Sequence, residues 1–481
     1  MKRALFWFLI AGFFPALAAA SAAQAHNDPV ASVILWVTLI FFFALMGRYL
    51  AERFNQPAVL GELLMGVLVG NLFYWCGSEL IVILREGSVI FNIMRDMLGG
   101  APLSSAINVN IPNPAYAAEV NMALSKGNSM DYIKVAYILD IFSRYGVIFL
   151  LFKVGLESSV EELKHTGKEA IQVAFIGVAA PILLGFAVSY LLMPNAHYQA
   201  HLFVAATLSA TSIGITARVL TEMKKIRTRE AKTILGAAMI DDILGLVILA
   251  IVSSMVITGL VDLWVAVQIV VSAALFFAAV LLIGPWIIHK AVFFFKFLEL
   301  WEHKLFIAFI FVMSLAWLAT MVNLATIIGA FAAGLILHDD FFKTEDKPTP
   351  SSQSIKSLIA PLESILAPLF FILIGIQVKL ESFFDLQVLL MAFGLIVAAV
   401  LGKLIAGFGG SAKDDRILIG IGMLPRGEVG LVFASIGRTL GVMNDQIFSA
   451  IVLMVIVTTF MAPPLLKARY AKKAKGLKHE N

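Results

Sequence analysis

The chain has 481 residues, 60% of them hydrophobic and 14% charged, with a mean hydropathy of +0.92. Soluble globular proteins run at roughly 45–50% apolar and about 25% charged residues, so a large soluble enzyme and a disordered chain are both excluded. Lys+Arg 36 against Asp+Glu 32 leave a net +4, too weak a field for a nucleic-acid partner, and the single Cys76 excludes an intramolecular disulfide or a cysteine metal cluster.

In chain order, Lys2-Arg3 precede an apolar run from Ala4 to Leu17, and small residues follow as far as Ala23-Gln24-Ala25. This is the pattern of a secretory signal peptide, residues 1–25, cleaved before His26; the other reading is an uncleaved membrane helix. Cleavage starts the mature chain outside the cytoplasm and points to a bacterial inner (cytoplasmic) membrane. Thirteen apolar segments follow, near 30–50, 58–75, 135–157, 169–192, 200–222, 233–257, 261–285, 303–322, 324–338, 358–379, 385–408, 416–440 and 445–466. A spanning helix needs about 20 mainly apolar residues. The expected fold is therefore an all-α polytopic membrane protein of about 13 transmembrane helices. An odd number of spans from an outside start leaves residues 467–481 as a cytoplasmic tail. Lys224, Lys225, Arg227, Arg229 and Lys232 fall in an inner loop, and the outer loops 193–199, 258–262 and 441–444 hold no Lys or Arg, which is the positive-inside bias.

Residues 76–132 are read as an extracytoplasmic insertion in the 26–466 transport domain. Leu80 to Met97 mixes aliphatics with Arg85, Glu86, Arg95 and Asp96 and suits the membrane surface, whereas Ser104 to Asn121, rich in Asn, Pro and Ala, reads as loop. The histidines His26, His197 and His201 read as exposed or interfacial.

The charges inside apolar segments carry the chemistry, because an ionisable group at mid-span costs several kcal/mol and marks function by default. In TILGAAMIDDILGLVILAIV, Asp241 lies eight residues past Thr233, about 12 Å into the bilayer, with Asp242 about 100° round the helix. The two acids face different neighbours: one can hold a transported cation or proton while the other pairs with a fixed positive charge. Lys403, inside LLMAFGLIVAAVLGKLIAGF, is the available partner. It either pairs in the interior or snorkels to the cytoplasmic face. Two segments look broken, one by the polar run Thr207, Ser209, Thr211, Ser212, Gly214, Thr216, the other by Pro425, Gly427 and Gly430 around Arg426 and Glu428. They precede the sixth and thirteenth segments, so six, one linker and six make an inverted repeat with breaks at matching places, a pointer to a transport site.

The stretches QPAVLGELLMGVLVGN, GVIFLLFKVGLE, LSATSIGITARVL, the Asp241-Asp242 helix, IIGAFAAGL, PLFFILIGIQV, LGKLIAG and PRGEVGLV occur in this order over residues 56–466. As a set they resemble the monovalent cation:proton antiporter-2 family, within the sodium/proton antiporter superfamily. The resemblance implies a secondary antiporter exchanging monovalent cations (Na⁺, Li⁺ or K⁺) for protons by alternating access. It also implies a homodimer and two crossed broken helices. By the family's motif, Asp242 is the ion- and proton-binding carboxylate, the one that meets the transported cation. Asp241 pairs with Lys403, Thr211 and Ser212 fall in the first break, and Glu428 falls in the second. Lys153 departs from an otherwise apolar span end. The rival reading is a cation channel or channel-like sensor using the same carboxylates. No cofactor motif and no nucleophile–base set argues for an enzyme.

Overall fold

The computed structural model describes residues 30–54, 56–111, 113–126, 129–157, 167–258, 263–295, 299–322, 324–342 and 353–479. The expected signal peptide, residues 1–25, and most of the loop 339–357 lie outside them. Among the described residues the regular structure is helical throughout. It opens with α1 (Ala31–Arg53) and α2 (Ala58–Trp75), then the insertion helices α3 (Glu79–Glu86), α4 (Val89–Leu98), α5 (Leu103–Asn110) and α6 (Pro114–Ser125). Next come α7 (Ser129–Glu157), α8 (Lys168–Leu192), α9 (Tyr198–Thr207), α10 (Ile213–Glu222), α11 (Arg229–Thr258), α12 (Leu263–Phe294), α13 (Leu300–Met321) and α14 (Thr326–Ile336). The chain finishes with α15 (Ile355–Ile376), α16 (Leu386–Ala406), α17 (Arg416–Gly422), α18 (Glu428–Thr439) and α19 (Asp445–His479).

By length and composition, ten of the described helices can cross a membrane: α1, α2, α7, α8, α11, α12, α13, α15, α16 and α19. The other three expected segments take different forms. The first is α14, an apolar helix of 11 residues, and the remaining two are each divided in two, as α9/α10 and α17/α18.

Small residues set how closely the helices pack. Gly155 of α7 lies against the Phe331 carbonyl and Gly334 of α14, and Gly66 of α2 against Gly375 of α15, where a Cβ would strike backbone. With no water to drive apolar association between lipid-facing helices, such approaches are what dispersion and packing reward. Two sets of helices result: α7 packs on α14 and α15, while α8 packs on α16 and α11.

The insertion differs from expectation in its second half, where residues read as loop form α5 and α6. Asn113 caps α6 by accepting from the Ala115 N–H at 3.0 Å, and Pro114 occupies the first helical position, where its missing N–H costs nothing. The Pro and Asn that suggest loop sit at the start of α6, and the Ala, Glu, Met and Leu that follow are strong helix formers. Ala117, Val120 and Ala123 then repeat every third residue on one buried face. These side chains share a core with Ile90, Ile93, Leu139 of α7 and Ile372 of α15, so the insertion is a packed helical cap. At the opposite end the expected tail continues α19 as helix. Arg469 forks onto both oxygens of Asp415 at 2.8 and 2.9 Å, and Lys473 pairs with Glu230.

Candidate ion-binding site

The site is assembled where both interrupted segments meet the middle of α11. At the first break, α9 stops at Thr207, Ser212 is extended, and α10 restarts at Ile213. A helix end leaves carbonyls without intrahelical donors, and here the Thr207 and Ser209 hydroxyls donate to the Val204 and Ala206 carbonyls at 2.6 and 2.8 Å. At the second break α17 stops at Gly422, Pro425 offers no N–H, and α18 restarts at Glu428. Each break satisfies the other. The Ser212 N–H donates to the Pro425 carbonyl at 2.8 Å, the Thr216 hydroxyl to the Gly422 carbonyl at 2.7 Å, and the Thr211 hydroxyl to the Met423 carbonyl at 3.3 Å. Gly427 is required by this approach, since a Cβ there would lie 2.6 Å from Ser212 Oγ.

Asp241 and Asp242 are both buried on α11, 0% and 3% exposed. Lys403 is fully buried as well and does not reach the surface. Its three ammonium protons go to Asp241 Oδ2 at 3.0 Å, the Ser209 carbonyl at 2.7 Å and the Gly177 carbonyl at 2.8 Å. One of those acceptors is a residue of the first break, so the ion pair also tethers that break.

Asp242 turns the other way, into a cavity of about 140 Å³ lined by Lys153 and Glu157 of α7, Ile213 and Gly214 of α10, and Glu428. Among the described residues no donor reaches its Oδ1. The first residues of α10 and of α18 thus border the same cavity, and a helix N-terminus carries partial positive charge that favours the ionised carboxylates. Glu428 Oε2 accepts from the Ser212 hydroxyl at 3.1 Å. Arg426 does not pair with Glu428; it is fully buried, donates from Nη1 to the Ala210 carbonyl, and its own carbonyl accepts from the Thr459 hydroxyl. Its Nε and Nη2 find no acceptor among the described residues.

Several functional-looking groups were not singled out in the sequence. Glu157 and Glu363 flank the cavity through ion pairs, Glu157 with Lys356 at 2.7 Å and Glu363 with Lys153 at 3.2 Å. A second charge cluster lies at the insertion end. Lys379 bridges Glu86 and Asp445, both at 2.6 Å, Arg438 reaches Asp445 at 2.7 Å, and Arg85 reaches Glu381 at 2.5 Å. Tyr116 of α6 stacks under the Lys379 ammonium at 3.6 Å, and its phenol is pushed up by burial and by the Glu381 and Asp445 carboxylates. Arg85 and Glu86, expected along the membrane surface, are buried instead, 2% and 5% exposed. Beside this cluster a larger cavity of about 310 Å³ lies between Asp140, Ser143 and Arg144 of α7, Gln377, and Ser435 and Arg438 of α18. His201, expected near the surface, is 2% exposed and its Nδ1 is hydrogen-bonded to the Ser189 hydroxyl at 2.7 Å.

Residues 38–468 match the family described as sodium/hydrogen exchanger, transmembrane. The chain is 34% identical over 479 residues to the high-affinity Na⁺/H⁺ antiporter NhaS3 of Synechocystis sp., covering 97% of this chain and 96% of that protein. It is 32% identical over 383 residues to the Na⁺/H⁺-K⁺ antiporter GerN of Bacillus cereus, covering 78% and 95%. The fold is similar to that of the sodium proton antiporter MjNhaP1 from Methanocaldococcus jannaschii, with a TM-score of 0.57 at 18% identity over 92% of this chain and 97% of that one.

Proposed function

Because the chain belongs to the sodium/hydrogen exchanger family, we propose that it exchanges Na⁺, Li⁺ or K⁺ for protons by alternating access, with Asp242 as the carrier and Asp241–Lys403 as a coupled pair. Its named relatives are cation/proton antiporters, so it is a multi-pass membrane transporter and not an enzyme. K⁺ stays among the substrates because the GerN name includes it.

The observation that carries this reading is the division of labour between adjacent carboxylates. Lys403 neutralises Asp241, while Asp242 faces a cavity with an oxygen that no described donor occupies. A lone buried carboxylate is costly when ionised, so it binds either a proton or a cation, and each competes with the other. The half-helix ends at Ile213 and Glu428 and the Glu428 carboxylate supply the polar surroundings a partly dehydrated ion needs. We read the two interrupted segments as the crossed pair of an inverted repeat, and the helix sets around α7 and around α8 as an interface domain and a mobile core. Two cavities support alternating access: one lies along residues 150–157 of α7, the other along residues 140–147. A homodimer in a bacterial inner membrane, with the Lys/Arg-rich loops inside, completes the reading.

The test is cation-driven proton movement in proteoliposomes, with Na⁺, Li⁺ and K⁺ supplied separately. Coupled exchange with at least one of them is expected. Cation flux that ignores an imposed proton gradient would turn the assignment to a channel.

A further inference from the structure

Among the described residues, Lys153 is the one basic side chain lining the cavity that contains Asp242 and Glu428. It stands in the apolar run FLLFKVGLE, one turn before Glu157, on the same face of α7. Its ammonium is 3.2 Å from Glu363 Oε2 of α15, long for a charge-assisted bond, which typically spans about 2.7–2.9 Å. By contrast Lys403 donates at 2.7, 2.8 and 3.0 Å and Lys379 at 2.6 Å to both of its carboxylates. The Lys153 side chain is 31% exposed and that of Glu363 15%, so this pair is neither sealed like Lys403–Asp241 nor fully solvated. A structural pair at a helix contact does not need a wall position in the carboxylate cavity.

We propose that Lys153 is an affinity-determining residue: a tethered cation, held back by Glu363, whose charge opposes entry of the transported ion to the cavity of Asp242 and Glu428. The proposal rests on the antiporter reading above. Glu363 acts through Lys153 and is a positioning residue. The charge balance of the wall follows. Glu157 is offset by Lys356 at 2.7 Å and Glu363 by Lys153, which leaves Asp242 and Glu428 as the acids that attract the ion. Removing the ammonium makes the wall more negative by one charge and strengthens cation binding. Removing the Glu363 carboxylate has the opposite sign, because the ammonium loses its restraint and its neutralising partner.

The experiment uses the full chain in proteoliposomes with Na⁺, Li⁺ and K⁺ as probes, reading KM and maximal rate. Lys153→Gln, which keeps a hydrogen-bond donor for Glu363 without the charge, should lower the cation KM by about three- to tenfold, the size expected of one partly screened charge. Lys153→Met should do the same, so loss of folding in one variant leaves the other as the test. Glu363→Gln should raise the KM by a similar factor. The double variant Lys153→Gln/Glu363→Gln should fall between the two, and Lys153→Arg should keep the KM of the unmutated chain. A purely structural pair would move both single variants in the same direction or change only the maximal rate, and either result overturns the proposal, as does an unchanged KM. An unmutated chain that shows no cation-coupled proton movement fails the antiporter reading itself; normal exchange with an indifferent Lys153 fails only this inference.

Discussion

At the scale of single residues, the site turns on two carboxylates one residue apart that do not share an environment. Asp242→Asn keeps shape and removes the carboxylate charge of the proposed carrier, so exchange should fall to background while the variant remains folded and membrane-inserted. Normal exchange by it, measured in the same liposomes, would refute the carrier assignment. Lys403→Gln strands Asp241 in a fully buried position, and breaking one partner of a buried pair typically costs about 3–5 kcal/mol. Its thermal unfolding midpoint in detergent should drop by several degrees; equal stability would mean that the pair contributes little. How much of this is readable from the chain depends on sequence distance. The adjacent acids are conspicuous because eight apolar or small residues isolate them from the nearest loop. Lys403 is also visible, but its two readings differ only in where Nζ goes, and packing against Gly177 and the Ser209 carbonyl decides that. The pairing of Lys153 with Glu363 joins residues 210 positions apart and leaves no local signal.

At the scale of elements, each broken segment is stable because the other exists. Pro425, Ser212, Thr211 and Thr216 read as helix breakers singly, yet their hydrogen bonds run across to the opposite break. Periodicity and Pro/Gly content locate an interruption but carry no term for a partner some 210 residues away. The insertion shows the reverse limit: Asn and Pro at its turns mask α6, whose Ala115, Ala117, Ala118, Glu119, Met122, Ala123 and Leu124 are strong helix formers, while α5 has few and relies on the core it shares with α7 and α15. Two predictions belong here. Lys379, buried at 1% exposure, ties the insertion's Glu86 to Asp445 at the start of α19. Asp445→Asn should therefore lower the unfolding midpoint and increase proteolytic nicking of residues 99–128, and an unchanged digestion pattern would show that the cap holds by its apolar core alone. At the other end, Asp415 caps α17 through the Leu418 N–H at 3.1 Å and accepts the Arg469 fork. Burial by itself would raise the Asp415 carboxyl, but the Arg469 and Leu418 hydrogen bonds outweigh it and hold it below its ordinary value. A carboxyl lowered in the folded state stabilises above its unfolded pKa of about 3.9 and loses that contribution as pH falls through the lower folded value. The stability difference between the unmutated chain and Arg469→Gln should be constant at neutral pH and shrink below about pH 4; a difference that grows with acidity contradicts this.

At the scale of the whole molecule, the proposed alternating access raises the question of what crosses the membrane when access passes from one cavity to the other. Consider three groups, Asp242, Asp241 and Lys403, in the proton-loaded site: Asp242 is neutral, and Asp241 and Lys403 cancel, so their summed charge is zero. In the proposed exchange, a monovalent cation loads by displacing the proton on Asp242. If Lys403 keeps its proton, the site is again neutral, one proton has been exchanged for one cation, and the step is blind to membrane potential. If the cation also draws on Asp241, the pair with Lys403 opens. A fully buried ammonium without its counter-ion is unstable and gives its proton up. Two protons then leave for each cation that enters, and the site moves with one net negative charge. The geometry leaves room for the second course: Asp241 Oδ1 is buried without a hydrogen bond among the described residues, so that carboxylate has an oxygen to offer beside Asp242. Exchange should therefore respond to voltage in the unmutated chain. The measurement compares rates in liposomes with the potential clamped by an ionophore and with it free to develop. A rate that is the same in both conditions would establish one-for-one exchange. If the voltage dependence is present, Lys403→Gln should lose it wherever transport survives, because the second proton has no group left to ride on; a voltage-sensitive Lys403→Gln would place that proton elsewhere.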